Sequence, residues 1–286
     1  MTSRSRNPGL LTLPCLIWLL TFLVGPLLFI AVTSLQAKGV WGGVRYVWNL
    51  DNFTRAFDRI YWSVIWSSIR LALTTSLSCL VIGYPMAWYM TRLGRGTQKL
   101  ALLLVMLPFM SNFVVRAYAV KFLIGVEGPL NRMLMLAGAI QTPLFLDDPG
   151  LAVWFGMVTN YLPFMVLPLY VALERFDVSV LEAARDLGAS SWQVWARVFW
   201  PLTKASAFSG FTLAFIPALG EFIIPDLMGG AKTMYLGNLL ADQFLKSRDW
   251  PFGAAMCVVM MLTVLVIARI MRFSRERVTA KSVVGV

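Results

Sequence analysis

Apolar residues in this chain come in long blocks, not in the alternating or amphipathic patterns of a soluble fold. From 10 to 35 no charge interrupts the run, and the next charged residue is Lys38. Further blocks cover 61–90, 100–124, 151–173, 205–228 and 252–270. Each is close to the roughly 20 residues that a helix needs to cross a bilayer. The pattern predicts an all-α polytopic membrane protein with six transmembrane helices, forming a single transmembrane domain over 1–286. The first block exceeds the roughly 7–15-residue apolar core of a signal peptide and reads as a retained span. Pro163 and Pro168 predict a kinked fourth helix. The mixed stretches 36–62, 125–150 and 229–251 read as loops.

One polar stretch between the fourth and fifth blocks, residues 177–201, carries two helix-start signals. Ser179-x-x-Glu182 reads as a capping box, and Ser190-x-x-Gln193 repeats it after Gly188, a residue that tolerates left-handed φ. The expectation is two short helices joined by a tight turn. The first is too short to be stable alone in water, so something should pack against it. Leu181, Ala184 and Leu187 form an apolar line for that purpose, and Trp192, Trp195, Ala196 and Phe199 are spaced to pack the second helix on the bundle.

Composition sharpens the class. Only 14% of residues are charged and 58% are hydrophobic, against roughly 25% charged in soluble domains. The net charge of +11 is carried in short stretches between apolar runs, which fits membrane topology and not a nucleic-acid partner. The chain has no histidine, and Cys15, Cys79 and Cys257 are isolated within apolar segments. That spacing offers no metal site and no catalytic metal, and no serine–base arrangement is recognisable, so an intramembrane enzyme is disfavoured. Gly229-Gly230-Ala231-Lys232 lacks the first glycine and the Ser/Thr of a P-loop. If ATP drives this protein, another chain binds it.

Lysine and arginine set orientation. The termini, the 91–99 turn and the polar stretch with its flanking Arg175 and Lys204 hold fourteen, including Arg4, Arg6, Arg92 and Arg272, while the opposite side holds eight, including Lys38, Arg45 and Lys232. The richer side is expected in the cytoplasm, with both termini and the 177–201 stretch.

Glu182-Ala183-Ala184, three residues, Gly188, nine residues and then Val198-x-Trp200-Pro201 resemble the EAA loop of binding-protein-dependent ABC importer permeases, whose pattern is EAA-x3-G-x9-I-x-L-P. Val198 and Trp200 replace isoleucine and leucine and remain apolar. The likeness extends from about residue 50 to 255 through Asp51-Asn52-Phe53, Gly83-Tyr84-Pro85, Tyr161-Leu162-Pro163-Phe164-Met165, Phe215-Ile216-Pro217 to Phe222, Asp226-Leu227-Met228 and Arg248-Asp249-Trp250-Pro251. These look like the putrescine/spermidine permeases. The resemblance implies the type I ABC importer permease fold in a bacterial inner membrane. It implies a second homologous permease, two ATPase subunits that use ATP-Mg, and a periplasmic solute-binding protein, with no cofactor on this chain. It also implies that Glu182, Ala183, Ala184, Arg185, Asp186 and Gly188 couple to the ATPase.

A path for an extended polycation should offer carboxylates and aromatic faces. Glu221 and Asp226 stand 17 and 22 residues beyond Lys204, and Arg116 and Lys121 stand 17 and 22 beyond Lys99. Three readings stay open: the carboxylates contact the solute, they pair with Arg116 and Lys121 as a structural or gating element, or they snorkel at the outer interface. Tyr161, Phe164, Phe215 and Phe222 are candidate lining aromatics. A permease of this kind for ferric ion, an opine or an anion is the nearest rival, and a secondary transporter is a more distant one.

Overall fold

The protein is described here from a computed structural model that covers residues 8–143, 149–230 and 233–284, with side chains from Leu13 to Arg269 within those ranges. Arg4, Arg6, Asp147, Asp148 and Lys232 lie outside the described residues, as do the side chains of Arg272, Arg275, Arg277 and Lys281.

In chain order, α1 (Pro8–Leu19) and α2 (Gly25–Ser34) run on through a π-helical turn, Leu20–Val24. A hairpin follows, β1 (Gln36–Lys38) with β2 (Val44–Trp48), then α3 (Asp51–Ala56) and α4 (Arg59–Thr91). Next come α5 (Arg95–Met110), α6 (Phe113–Ile124), α7 (Pro129–Leu136) and α8 (Pro149–Glu174). The polar stretch forms α9 (Ser179–Asp186) and α10 (Ser191–Val194), and α11 (Trp200–Leu219) follows a π segment, Trp195–Phe199. The chain ends with α12 (Leu236–Ala241) and α13 (Trp250–Val284).

Among the described residues, five helices are long and apolar enough to cross a membrane: Leu13–Ser34, Arg59–Thr91, Pro149–Glu174, Ser191–Leu219 and Trp250–Arg269. A sixth span exists only if α5 and the helix after it count together, and these bend by 105°. The expected continuous helix over 100–124 is therefore broken. Ser111 and Asn112 are extended, and the Asn112 side chain accepts from the Val114 N–H at 2.8 Å to start a new helix. A polar N-cap inside an apolar run outcompetes continuation because it satisfies a donor that the bend exposes. The expected fifth span, 205–228, is also revised. It begins earlier, at Ser191, and ends at Leu219, so Glu221 and Asp226 lie beyond the helix. The stretches read as loops hold the hairpin, α3, α7 and α12.

Backbone contacts divide the chain into two compact units, Met1–Trp62 with Leu240–Leu265, and Ser63–Leu239 with Val266–Val286. In the first, the Asn52 side chain donates to the Ser34 and Gln36 carbonyls at 3.1 and 2.7 Å, tying α3 to the start of the hairpin. Asp249, with its side chain 5% exposed, pairs with Arg55 at 3.2 Å and Lys38 at 3.7 Å. Its other oxygen accepts from the Phe252 N–H, capping α13. The motif residues around 51 and 249 thus build one clamp.

In the second unit α8 and α11 pack closely. A Cβ on Gly210 would fall 2.8 Å from the Met165 sulfur and 3.0 Å from its carbonyl oxygen, so glycine permits this approach. Met157, Met165 and Leu169 of α8 and Leu219 of α11 are fully buried in this core.

Candidate functional site

The polar stretch builds a short helix seated on its own chain. The Ser179 N–H donates to Asp177 Oδ1 at 2.9 Å, and no side chain caps α9 from the serine. The capping box expected from Ser179 and Glu182 is not formed: Asp177, two residues upstream, takes the orphan donor instead. Hydrogen bonds from the Ser179 hydroxyl and then its backbone hold the Asp177 carboxyl below the usual carboxylate range. The second expected box does form, with Ser190 and Gln193 each accepting from the other's backbone N–H. Gly188 lies between them at φ +82°, and the Ala189 N–H reaches back to the Ala184 carbonyl at 3.2 Å. The helix begun at Ser191 does not stop. It continues through the π segment into α11, so the second short helix is the first turn of the fifth span.

Burial reassigns the faces of α9. Leu181 is 6% exposed and packs into its own chain, beside a cavity of about 280 Å³ lined by Tyr84, Trp88, Arg185, Val194 and Phe199. Leu187 is 88% exposed and Val180 41%, and Glu182, Ala183 and Asp186 are exposed as well. The free apolar line is thus Val180, Ala183 and Leu187, at helical spacing, and not the expected Leu181, Ala184 and Leu187. Trp192 and Trp195 are exposed and stacked on each other, with centroids 5.0 Å apart, whereas Val194 and Phe199 do the packing. Tyr84, Trp88 and Phe199 form the seat, with the Trp88 and Phe199 rings 4.4 Å apart and the Tyr84 hydroxyl bonded to Thr203.

The candidate charges gather around α8. Tyr161 is buried and donates its hydroxyl to Glu221 Oε2 at 2.7 Å. The other carboxylate oxygen accepts from the Ile223 N–H at 2.8 Å and the Ile224 N–H at 3.4 Å. Glu221 therefore caps the chain where it restarts after α11. Arg116 donates from Nη1 to the Pro108 carbonyl at 2.8 Å and from Nε to the Asn160 side chain. Its guanidinium lies 5.8 Å from the Phe109 ring centre and 5.4 Å from that of Phe113, within cation–π range. Phe164 bridges the two halves, 4.6 Å from Phe109 and 5.8 Å from Tyr161.

Among the described residues no ion pair joins Arg116 to Glu221 or Lys121 to Asp226, so the direct pairing drawn from equal depth is not formed. Arg116 and Glu221 instead meet adjacent residues of α8, Asn160 and Tyr161. Lys121 and Asp226 are exposed, Phe222 is 44% exposed, and Phe215 is buried. Asn160 was missed because a lone asparagine in an apolar run carries no spacing signal. It is 1% exposed, and its amide also donates to the Gly156 carbonyl at 2.8 Å. A buried polar side chain in a membrane helix was the available clue.

A multi-pass helical chain with a short polar helix between two spans defines a class, and comparison shows it. Residues 79–279 match the family model described as the binding-protein-dependent transport system inner membrane component. The chain belongs to this family of membrane transport components. It is 42% identical over 265 residues to the spermidine/putrescine transport system permease protein PotB of Escherichia coli (strain K12), covering 91% of this chain and 96% of that protein. PotB of Salmonella typhimurium (strain SL1344) is 40% identical over 282 residues, covering 97% and 98%. A crystallised bacterial ABC transporter involved in import of the acidic polysaccharide alginate shares the fold, with a TM-score of 0.70 and 20% identity over 96% of this chain and 97% of that one. The type I importer permease fold expected from the polar stretch is thereby established.

Proposed function

We propose that this chain is a permease subunit of an ATP-driven polyamine importer, carrying putrescine or spermidine across the inner membrane. The observation that carries this reading is the near full-length 42% identity to a permease named for those solutes. In this reading the chain supplies half of the path and a second homologous permease the other half. A periplasmic binding protein delivers the solute. Two ATPase subunits consume ATP-Mg, since this chain has no P-loop of its own, and both termini lie in the cytoplasm.

The coupling role falls to α9. Glu182, Ala183 and Asp186 point away from the chain with Val180 and Leu187, while Leu181 anchors the helix from behind. A helix of 8 residues held on one side and free on the other can seat in a groove of a partner and pass its movement to α4 and α11. Ala184 and Arg185 flank that face, and Gly188 sets the turn that aims it. Glu221, Tyr161 and Phe164 supply acceptor and ring groups for an ammonium solute, with Asp226 and Phe222 exposed nearby in sequence.

The test is uptake of labelled putrescine and spermidine by the complex reconstituted in vesicles with its binding protein and ATPase. ATP-dependent accumulation of either amine is expected. Failure with both amines, alongside stabilisation of the neighbouring binding protein by ferric ion, an opine or an anion, would replace the solute while keeping the family.

A further inference from the structure

Arg116 sits in a place built for a cation, and the surroundings fit a free amine as well as they fit the guanidinium. Two ring faces, Phe109 and Phe113, lie within 6 Å of its Cζ atom. Two neutral oxygens, Pro108 O and Asn160 Oδ1, accept its protons. Neither acceptor is a carboxylate, so among the described residues the guanidinium is held without an ion pair. Nη2 makes no hydrogen bond among the described residues. The side chain is half-buried, so one edge of this cage is open. Next to it, through the Phe164 and Tyr161 rings, stands the Glu221 carboxylate.

We propose that Arg116 is a tethered cation that occupies this cage in the absence of solute and competes with a polyamine ammonium for it. The proposal rests on the polyamine reading above. A primary ammonium carries up to three donors on a compact charge. Placed in the cage it would take the Pro108 and Asn160 oxygens and the two ring faces that Arg116 now uses. A second amine of the same molecule could then approach Glu221 in place of the Tyr161 hydroxyl. The guanidinium, displaced, has an open edge to leave by. The arrangement keeps the cage filled and dry of small cations until a polyvalent amine, with two charges to place, outcompetes it. Selectivity for length would follow, because a monoamine gains the cage alone.

The experiment is equilibrium binding of labelled spermidine to the purified complex, without its binding protein. If the guanidinium fills the cage about nine-tenths of the time, its removal tightens the apparent Kd roughly tenfold. Arg116→Gln, which keeps a donor for Pro108 O, is expected to show that gain. Arg132→Gln, which removes the same charge at an exposed site outside the cage paired with Glu127, is expected to show none. Arg116→Lys keeps the charge but gives up the two-point hold of the guanidinium on Pro108 O and Asn160 Oδ1, and is expected to tighten binding by a smaller factor. It decides the matter should Arg116→Gln fail to assemble. Unchanged or weaker spermidine binding in Arg116→Gln, or an equal gain in Arg132→Gln, overturns the proposal. Vesicle uptake by the unmodified complex separates the two readings. Uptake with no gain in Arg116→Gln removes the tethered cation alone, whereas a gain without any polyamine uptake removes the proposed solute and leaves the cage.

Discussion

Glu221 caps the backbone where the chain restarts after α11. Both carboxylate oxygens are in use, one by the Tyr161 hydroxyl and the other by two backbone N–H groups. Two variants separate its charge from its geometry. Glu221→Gln keeps an oxygen for the Ile223 N–H, so the break should form and the complex assemble, while polyamine uptake is lost. Normal uptake by this variant, measured in reconstituted vesicles, would leave the carboxylate no role with the solute. Tyr161→Phe removes one hydrogen bond to a charged group, a change of about 1.5–3 kcal/mol. It should lower the thermal midpoint of the purified complex while sparing ATPase association. Gly188 is a different kind of residue. Nothing lies within 4 Å of where its Cβ would be, so only its φ of +82° constrains it. Gly188→Ala should therefore cost about 1–2 kcal/mol through backbone strain alone. Gly188→Pro also loses the N–H that reaches Arg185 O at 2.8 Å, and should abolish ATPase co-purification. Its spacing after Glu182 made Gly188 legible in the sequence. Glu221 was legible as a residue, but its Tyr161 partner was not, because it lies 60 positions away on another helix.

At the scale of the element, α9 makes the clearest prediction. Its free face carries Glu182, Ala183, Asp186 and Leu187, so Glu182→Lys should leave membrane insertion intact while abolishing uptake and ATPase association. Normal recovery of ATPase with that variant would end the docking assignment. Leu181→Ala acts from the other side, emptying the seat on Tyr84, Trp88 and Phe199. Because a cavity already adjoins it, the cost should fall near the lower end of the roughly 2–5 kcal/mol for such truncations. Transport should then lose coupling to ATP hydrolysis, seen as ATPase activity that no longer responds to the loaded binding protein. The sequence showed α9 as a helix and Gly188 as its end. It did not show which apolar residues face inward, since Leu181 and Leu187 are equally hydrophobic and only the position of α4 tells them apart. The hairpin clamp repeats the point. Asp249→Asn should loosen β1, α3 and the start of α13, at a cost below the roughly 3–5 kcal/mol of a fully buried pair. Arg55 and Lys38 are about half exposed and can turn to water. Increased proteolysis between 36 and 62 would register the loss.

For the molecule as a whole, block length and composition were enough to make it a multi-pass helical membrane protein. Burial of backbone polar groups in hydrocarbon leaves few alternatives to a helix. The fixed spacing from Glu182 to Pro201 was enough to place it among the importer permeases. Those properties are local, since each depends on a contiguous stretch of 20 or so residues, and a sequence states them directly. The breaks at Ser111–Asn112 and Gly220, the choice of Asp177 over Ser179 as cap, and the inward turn of Leu181 depend on neighbours that no contiguous stretch names. So does the meeting of Arg116 with Asn160 and of Glu221 with Tyr161. Equal counting along two helices leaves direct pairing of the charges as one of three open readings. The third helix between them, and the bends that relieve the unsatisfied backbone at each break, gave Arg116 and Glu221 different partners and left Lys121 and Asp226 exposed.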